Sequence, residues 1–246
     1  MNLVKQFKTF GPIDSKYIRR DDINLMLIIA PFLLALAVRW LLPYLLEGIG
    51  TLVDFNLLPY LTPIMGYVII ILMPLFIGMI TGLILLDQKD DRSMLGLQVS
   101  PVKMIDYLSY RLATPMLLSL GMTLLVYPLS GLQPIGFWSL FFGALLAMPL
   151  APLFALTFAI FAENKIQGLV LMKGSGGILL LPIVAYFLPG IWKAIIAIIP
   201  TFWSGQFYWL TIEQKPSRWI IWFAGMLIQI LLIILLQKLW FKRMHQ

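Results

Sequence analysis

Long apolar runs separated by short polar stretches make up most of the sequence. Six of these runs are long enough to cross a bilayer as helices, which takes about 20 apolar residues each. They cover residues 23–46, 60–86, 106–130, 137–162, 168–188 and 219–240. The pattern therefore predicts an all-α integral membrane protein whose six transmembrane helices form one domain over residues 1–246.

The segment before the first run, residues 1–22, has apolar side chains at heptad-like spacing, at Leu3, Phe7, Phe10 and Tyr17. Lysines and arginines stand between them, a pattern typical of a helix that lies on a membrane surface among lipid headgroups. We predict an N-terminal amphipathic interfacial helix on the cytoplasmic leaflet, broken at Gly11-Pro12. A mobile basic tail is the alternative.

Residues 189–210, before the last run, are apolar but are divided by Pro200 and Gly205 and are rich in aromatic side chains. Two short halves around a proline are too short to span singly, and aromatic residues favour the headgroup level. We predict an external re-entrant helical hairpin before span six.

Residues 87–105 form the longest charged interruption of the sequence. Charged residues, including Asp90, Asp91 and Arg92, precede the apolar Met94, Leu95 and Leu97. Ser100-Pro101 then suits the start of a new helix, because proline lacks only an amide hydrogen that would be unpaired there. This pattern suggests a short amphipathic segment that docks a soluble partner. The alternative is a solvated loop whose basic residues only fix the topology.

Composition and charge agree with a membrane protein. Of the 246 residues, 61% are hydrophobic and 12% are charged, whereas a soluble domain has about 25% charged residues. Most of the 18 lysines and arginines lie in segments on the same side as the two termini. The positive-inside rule places that side on the cytoplasmic face of a cell membrane. Because this rule and the attraction to anionic lipid headgroups account for the net charge of +7, no nucleic-acid partner is required.

The sequence contains little that could catalyse a reaction or couple transport to an ion. It has no cysteine, its one histidine is His245, and its 11 acidic residues lie outside the span interiors. Intramembrane carboxylates and histidines commonly carry proton and sodium coupling, and hydrolases need a nucleophile, a base or a metal. We therefore predict no catalytic, cofactor or metal site in this chain, and an energy source in a partner protein.

Two glycine-rich stretches point to helix packing. Gly78 and Gly82 form a small-xxx-small pair in the second span, which would let another helix approach closely. Gly174-Ser-Gly-Gly177 follows Lys173, so it lacks the order of a phosphate-binding loop, and we interpret it as a close-packing segment.

Two longer stretches resemble ABC-2-type permeases, the membrane subunits of bacterial ATP-binding-cassette exporters. The first is LLDQKDDRSMLGLQVSPVKMIDYLSYRL, Leu85 to Leu112, similar to the family's segment after span two. The second is AENKIQGLVLMKGSGGILLLPIVAYFLPG, Ala162 to Gly190, similar to fluoroquinolone and multidrug export permeases. The predicted order of parts agrees over nearly the whole chain, although Arg92-Ser93 replaces a Glu-Gly type of pair.

The resemblance implies a cytosolic ABC ATPase partner, which would bind ATP and magnesium, and a second permease subunit, identical or a sister chain. The cytoplasmic coupling helix after span two would dock on the ATPase. We expect ATPase contacts from Asp90, Asp91, Arg92, Met94, Leu95 and Leu97, and a second cytoplasmic contact from Glu163, Asn164 and Lys165.

The resemblance also implies outward movement of an amphipathic substrate, such as a drug, an antimicrobial peptide or a lipid-like molecule. Two other classes of function remain open from the sequence. One is a carrier that works without an ATPase, and the other is a structural or regulatory membrane subunit. Flux through liposomes that contain only this chain would distinguish the carrier.

Overall fold

The computed structural model describes residues 3–53, 56–91, 104–188 and 190–244, and within these ranges the chain contains helices and no strands. We number the α-helices in chain order: α1 Leu3–Arg20, α2 Asp22–Leu36, α3 Leu42–Val53, α4 Leu58–Asp90, α5 Met104–Leu129, α6 Phe137–Ala147, α7 Leu150–Phe161, α8 Lys165–Phe187, α9 Gly190–Ile196, α10 Pro200–Ile212 and α11 Arg218–Met244. A π-helical turn, Ala37–Leu41, joins α2 to α3.

Six helical segments in the described part of the chain are long and apolar enough to span a membrane. They are Asp22–Leu52, Leu58–Asp90, Tyr107–Leu129, Phe137–Phe161, Lys165–Phe187 and Arg218–Trp240. The fold class and the number of spans predicted from the apolar runs are therefore confirmed. The first segment includes the π-helical turn, and the fourth joins α6 and α7 across Met148-Pro149.

Helix α4 is the centre of the bundle. It contacts most of the other spans, with its most extensive contacts to α7 and α5. Tyr67, Ile69, Ile71 and Met73 on α4 have no exposed surface. The first and last spans are exposed along most of their length, so an apolar surface remains at the side of the bundle.

Two helices, α9 and α10, occupy the stretch predicted as a hairpin, and α10 is anchored to the start of α4. The hydroxyl of Tyr208 donates to the carbonyl of Thr62 at 3.1 Å, and the indole nitrogen of Trp209 donates to Pro63 at 2.9 Å. A Cβ atom at Gly66 would overlap the Tyr208 ring. The absence of a side chain at position 66 thus allows this anchor.

Helix α1 continues through Gly11-Pro12, so the predicted break is wrong. A proline inside a helix removes one backbone hydrogen bond and costs about 3 kcal/mol. Contacts on both sides of Pro12 offset that cost. Phe10 packs on Tyr107 and Tyr110 with ring centroids 5.9 and 5.3 Å apart, and Asp14 pairs with Arg111 of α5.

Candidate functional site

The predicted contact residues that the structure describes lie at the end of the bundle where α4 ends and α8 begins. Asp90 is the last residue of α4 and Asp91 follows it in a turn. Arg92, Met94, Leu95 and Leu97 lie outside the described residues, as does the rest of residues 92–103. The structure brings the two predicted sets together, because the backbone N–H of Lys165 donates to Asp90 Oδ2 at 3.2 Å.

Lys165 connects three parts of the chain through its side chain. Its Nζ lies 2.9 Å from Asp21 Oδ2 and 3.1 Å from Asp87 Oδ2, and all three side chains are 30% exposed or less. Asp21 joins α1 to α2, Asp87 lies in the last turn of α4, and Lys165 opens α8. We call Asp21, Asp87, Asp90 and Lys165 the Lys165 cluster.

Local capping holds Lys165 in this position. Asn164 is the N-cap of α8, where its side chain accepts the N–H of Gln167 at 3.0 Å. The Gln167 side chain in turn accepts the N–H of Glu163 at 2.9 Å. The first bond satisfies a backbone donor that the first helical turn leaves open, and the second fixes the residue before the cap, so α8 begins with Lys165 in its first position. The side chains of Glu163 and Asn164 remain exposed.

Asp21 is also an N-cap, for α2. Its Oδ1 accepts the N–H of Ile23 at 2.9 Å and that of Asn24 at 3.4 Å, which leaves Oδ2 for Lys165. Burial alone would raise the pKa of Asp21, but the hydrogen bond and charge of Lys165, together with the two backbone amides, lower it below its usual range. Asp21 is therefore ionised at neutral pH.

A second, more buried group of polar side chains joins α1 to α5. Arg111 and Asp14 are 5% and 12% exposed, and Arg111 Nη1 lies 2.8 Å from Asp14 Oδ2. Tyr110 donates to the same carboxylate oxygen at 2.8 Å, and Arg111 Nε donates to the hydroxyl of Tyr107 at 2.8 Å. Tyr107 donates to the side-chain oxygen of Gln88 on α4. We call these five residues the Arg111 cluster.

The two clusters flank the predicted coupling segment. The Lys165 cluster lies where α4 enters residues 92–103, and the Arg111 cluster lies in the first turns of α5, where the chain leaves them. Lys89 adds a contact of the α4 end with the end of α7, by donating to the carbonyl of Ala162 at 3.2 Å. Directed polar contacts therefore join the end of α4 and the start of α5 to α1, α2, α7 and α8.

From the sequence, Asp14, Asp21 and Arg111 had no predicted binding role and Asp87 was only part of the charged segment 87–105, and the structure places all four at the centre of these clusters. One signal for Arg111 was available. It lies four residues after Tyr107 on one helix face, inside a long apolar run, and a charge in such a run requires a partner.

Gly78 and Gly82 lie deeper in the bundle, on the face of α4 that contacts α7. A Cβ atom at Gly78 would lie 2.6 Å from the carbonyl oxygen of Ala151, and one at Gly82 would lie 3.2 Å from Phe158. Gly174, Gly176 and Gly177 have no described atom within 4 Å of a Cβ position. The packing expected of that second stretch is therefore not found within the described part of the chain.

The clusters hold helices together through ion pairs and hydrogen bonds. Within the described residues, no group of three or more histidine, cysteine, aspartate or glutamate side chains could hold a metal ion. The described acidic side chains of the Lys165 and Arg111 clusters are each engaged by a cation or by a helix N-terminus.

Comparison with known proteins identifies the family. The sequence profile of the family described as fluoroquinolones export permease protein Rv2686c-like matches residues 14–237. The chain belongs to this family. Two fluoroquinolones export permease proteins of Mycobacterium tuberculosis, from strains CDC 1551 / Oshkosh and ATCC 25618 / H37Rv, are 26% identical over 207 residues, covering 83% of this chain and 82% of each relative. No solved structure matches the chain.

The resemblance to fluoroquinolone export permeases drawn from the two sequence stretches is thus confirmed. The region shared with the Rv2686c-like permeases begins at Asp14 and ends at residue 237, so it contains both polar clusters, the first five spanning segments and all but the last three residues of the sixth. The chain is a multi-pass protein of an export permease family.

Proposed function

We propose that this chain is the membrane subunit of an ATP-binding-cassette exporter, and that a separate cytosolic ATPase supplies its energy. The observation that carries the proposal is the Lys165 cluster. It fastens the end of α4, immediately before the predicted coupling segment, to the α1–α2 junction and to the start of α8. Such an arrangement suits a protein that receives force at one end of its bundle.

In this proposal, residues 92–103 dock on the ATPase, with Met94, Leu95 and Leu97 as the apolar contact and Arg92 as a polar one. The exposed Asp91, which precedes this segment in sequence, and the exposed Glu163 and Asn164, which lie next to Lys165, complete the contact. Lys165 and Asp90 have a different role, because each is already bonded within the permease. They hold the docking region to the spans, while the other residues bind the partner.

In this proposal the protein lies in a cell membrane with both termini on the cytoplasmic side. The substrate is an amphipathic molecule that is moved out of the cell. The two relatives are named as permeases for fluoroquinolones, which places drugs first among the substrates to test. A second permease subunit would contact the exposed surface of the bundle. The open glycines of α8, at positions 174, 176 and 177, would allow its helices to approach closely.

The first test is purification of the tagged permease from its native membranes in a gentle detergent, followed by mass spectrometry of bound proteins. The proposal expects an ATP-binding-cassette ATPase in stoichiometric amount. Leu95→Asp should remove it, because the new charge would lie in an apolar contact. Gln98→Asp is the matched control, since it adds the same charge at a polar position of the same segment.

The second test measures ATP-dependent uptake of a fluoroquinolone into inside-out membrane vesicles. Uptake should require both proteins and should be lost with Leu95→Asp but not with Gln98→Asp. Two results together would contradict the proposal and establish an ATPase-independent carrier. No ATPase would copurify with the permease under the mildest extraction, and the permease alone would transport the drug in liposomes when an ion gradient is applied.

A further inference from the structure

A cavity of about 430 Å³ lies directly beside the Arg111 cluster. Helices α1, α2, α4 and α5 form its walls, with Ile18, Ile28, Ile80, Pro115 and Met122 among the apolar residues. Asp14, Tyr110 and Arg111 form its polar end. Its volume falls within the range of about 300–1,000 Å³ that is usual for small-molecule sites, and this distribution of apolar walls and few polar groups is typical of them.

The cavity opens at the side of the bundle. Leu117 and Leu118 line it, and their side chains are 56% and 48% exposed. Leu125, one heptad further along α5 from Leu118, is 65% exposed on the same face. In a spanning bundle this face meets lipid, so a molecule dissolved in the bilayer can reach the cavity without crossing water.

The polar end of the cavity has no net charge, because Asp14 and Arg111 compensate each other at 2.8 Å. It nevertheless offers hydrogen bonds. Arg111 uses Nε and Nη1 within its cluster, while Nη2 donates to no other residue in the described ranges. Pro115 has no N–H, so the backbone carbonyl of Arg111 receives no helical hydrogen bond from position 115.

These features select one class of ligand. A molecule with a net charge would add an uncompensated charge to a site that is largely shielded from water, and this costs several kcal/mol, on the order of the penalty for an unpaired buried ion. A net-neutral molecule with a donor and an acceptor, or with a carboxylate and an amine that balance, incurs no such penalty. An anionic phospholipid is the poorer match.

We infer that this cavity is a binding site for a compact, net-neutral amphiphile that reaches it from the membrane leaflet beside α1, with its polar end on Asp14 and Arg111. The inference rests on the proposed function, in which such an amphiphile is the transported substrate. It is tested without the ATPase, so that failure of binding and failure of the ATPase proposal give different results.

The experiment measures binding of ciprofloxacin, which is zwitterionic and net-neutral near pH 7, to the purified permease in phosphatidylcholine nanodiscs by the fluorescence of the drug. Leu118→Trp should obstruct the opening and weaken binding about tenfold or more, a change of at least 1.4 kcal/mol. Leu125→Trp is the matched control and should leave binding unchanged. Thr114→Phe, which fills the cavity from α5, should weaken binding as Leu118→Trp does. The same result from two different positions would show that the loss is not caused by misfolding of one variant.

A second probe tests the charge argument. The methyl ester of ciprofloxacin keeps the ring system and the amine but carries a net positive charge, and it should bind about tenfold or more weakly. Equal binding of ester and parent drug, or equal effects of Leu118→Trp and Leu125→Trp, would overturn the assignment. Displacement of ciprofloxacin by phosphatidylglycerol at low mole fraction would also overturn it, in favour of an anionic lipid.

Discussion

The ammonium group of Lys165 lies 3.1 Å from the carboxylate of Asp87, although 78 residues separate them in sequence. This contact joins the end of α4 to the start of α8, and Asp21 extends it to the junction of α1 and α2. The end of α4 directly precedes the predicted coupling segment, and Lys165 links the other two segments to that end. One lysine side chain therefore joins these three segments of the chain.

Replacing Lys165 with glutamine should destabilise the permease and uncouple it. Partly exposed ion pairs contribute about 0.2–1 kcal/mol each, so loss of both pairs should cost about 0.4–2 kcal/mol. For a protein of this size, that lowers the midpoint of thermal unfolding by about 1–8 °C. The measurement is thermal unfolding in detergent, alongside ATP-dependent drug uptake in vesicles.

Lys173→Gln is the matched control, because Lys173 is exposed on the same helix and its change removes the same charge. It should leave the unfolding midpoint and the uptake close to those of the wild type. If both lysine variants reduce uptake equally, the total positive charge at this face is responsible, and the contacts of Lys165 with Asp21 and Asp87 are not.

The contribution of Asp21 should depend on pH in the acid range only. Its pKa is lower in the folded protein than in the unfolded chain, so the folded state releases its proton more readily. The stabilisation is therefore complete above the unfolded pKa of about 4 and is lost as the pH falls through the lower folded value.

Asp21→Asn isolates this effect, since asparagine also caps helices well but carries no charge. The variant should unfold at a lower temperature than the wild type from about pH 5 to pH 8, by a constant amount, and the difference should shrink below about pH 4. Unfolding midpoints measured across that range test the prediction. A difference that instead grows on acidification would assign the acid sensitivity to another group.

Arg111→Gln should be much more damaging than Lys165→Gln. It leaves Asp14, which is 12% exposed, without its cation, and removing one partner of a buried pair costs about 3–5 kcal/mol. Asp14→Asn in the same background should restore part of that loss, because it removes the unpaired charge. Thermal unfolding of the two single variants and the double variant measures the coupling between the residues. Strictly additive losses would show that the pair does not stabilise the fold.

Much of the fold could be predicted from the sequence because the bilayer imposes a simple rule on it. A spanning helix must be long and apolar, so six runs such as residues 60–86 indicated six spans. The family was also readable, since the stretches from Leu85 and from Ala162 carry its residues in order. Where charged residues occur between spans was equally clear from the sequence.

The contacts among those charges could not be predicted. The contact of Lys165 with a partner stays a prediction, but its pairs with Asp21 and Asp87, which lie 144 and 78 residues away, were not indicated by the sequence. Which lysine pairs inward depends on how α1, α4 and α8 pack, and hydropathy contains no information on that. Pro12 shows the same limit, because tertiary contacts of Phe10 and Asp14 override its local tendency to break a helix.

The last prediction is an order of stability among three glycine-to-alanine variants, two on α4 and a control on α5. At Gly78 the new methyl group would lie 2.6 Å from a backbone oxygen and 2.8 Å from the Cβ of Phe154, neither of which can turn away. Overpacking of this kind costs about 1–3 kcal/mol. At Gly82 the nearest atoms are 3.2 Å away and belong to Phe158, so a smaller loss is expected.

Gly121→Ala on α5 is the control, since no described atom lies within 4 Å of its Cβ position and alanine favours a helix by about 1 kcal/mol over glycine. Thermal unfolding should therefore rank the variants, from least to most stable, as Gly78→Ala, Gly82→Ala and Gly121→Ala, with the last at or above the wild type. A tolerated Gly78→Ala would mean that α4 and α7 can separate without loss. The close approach of α4 to α7 would then not be what holds the centre of the bundle together.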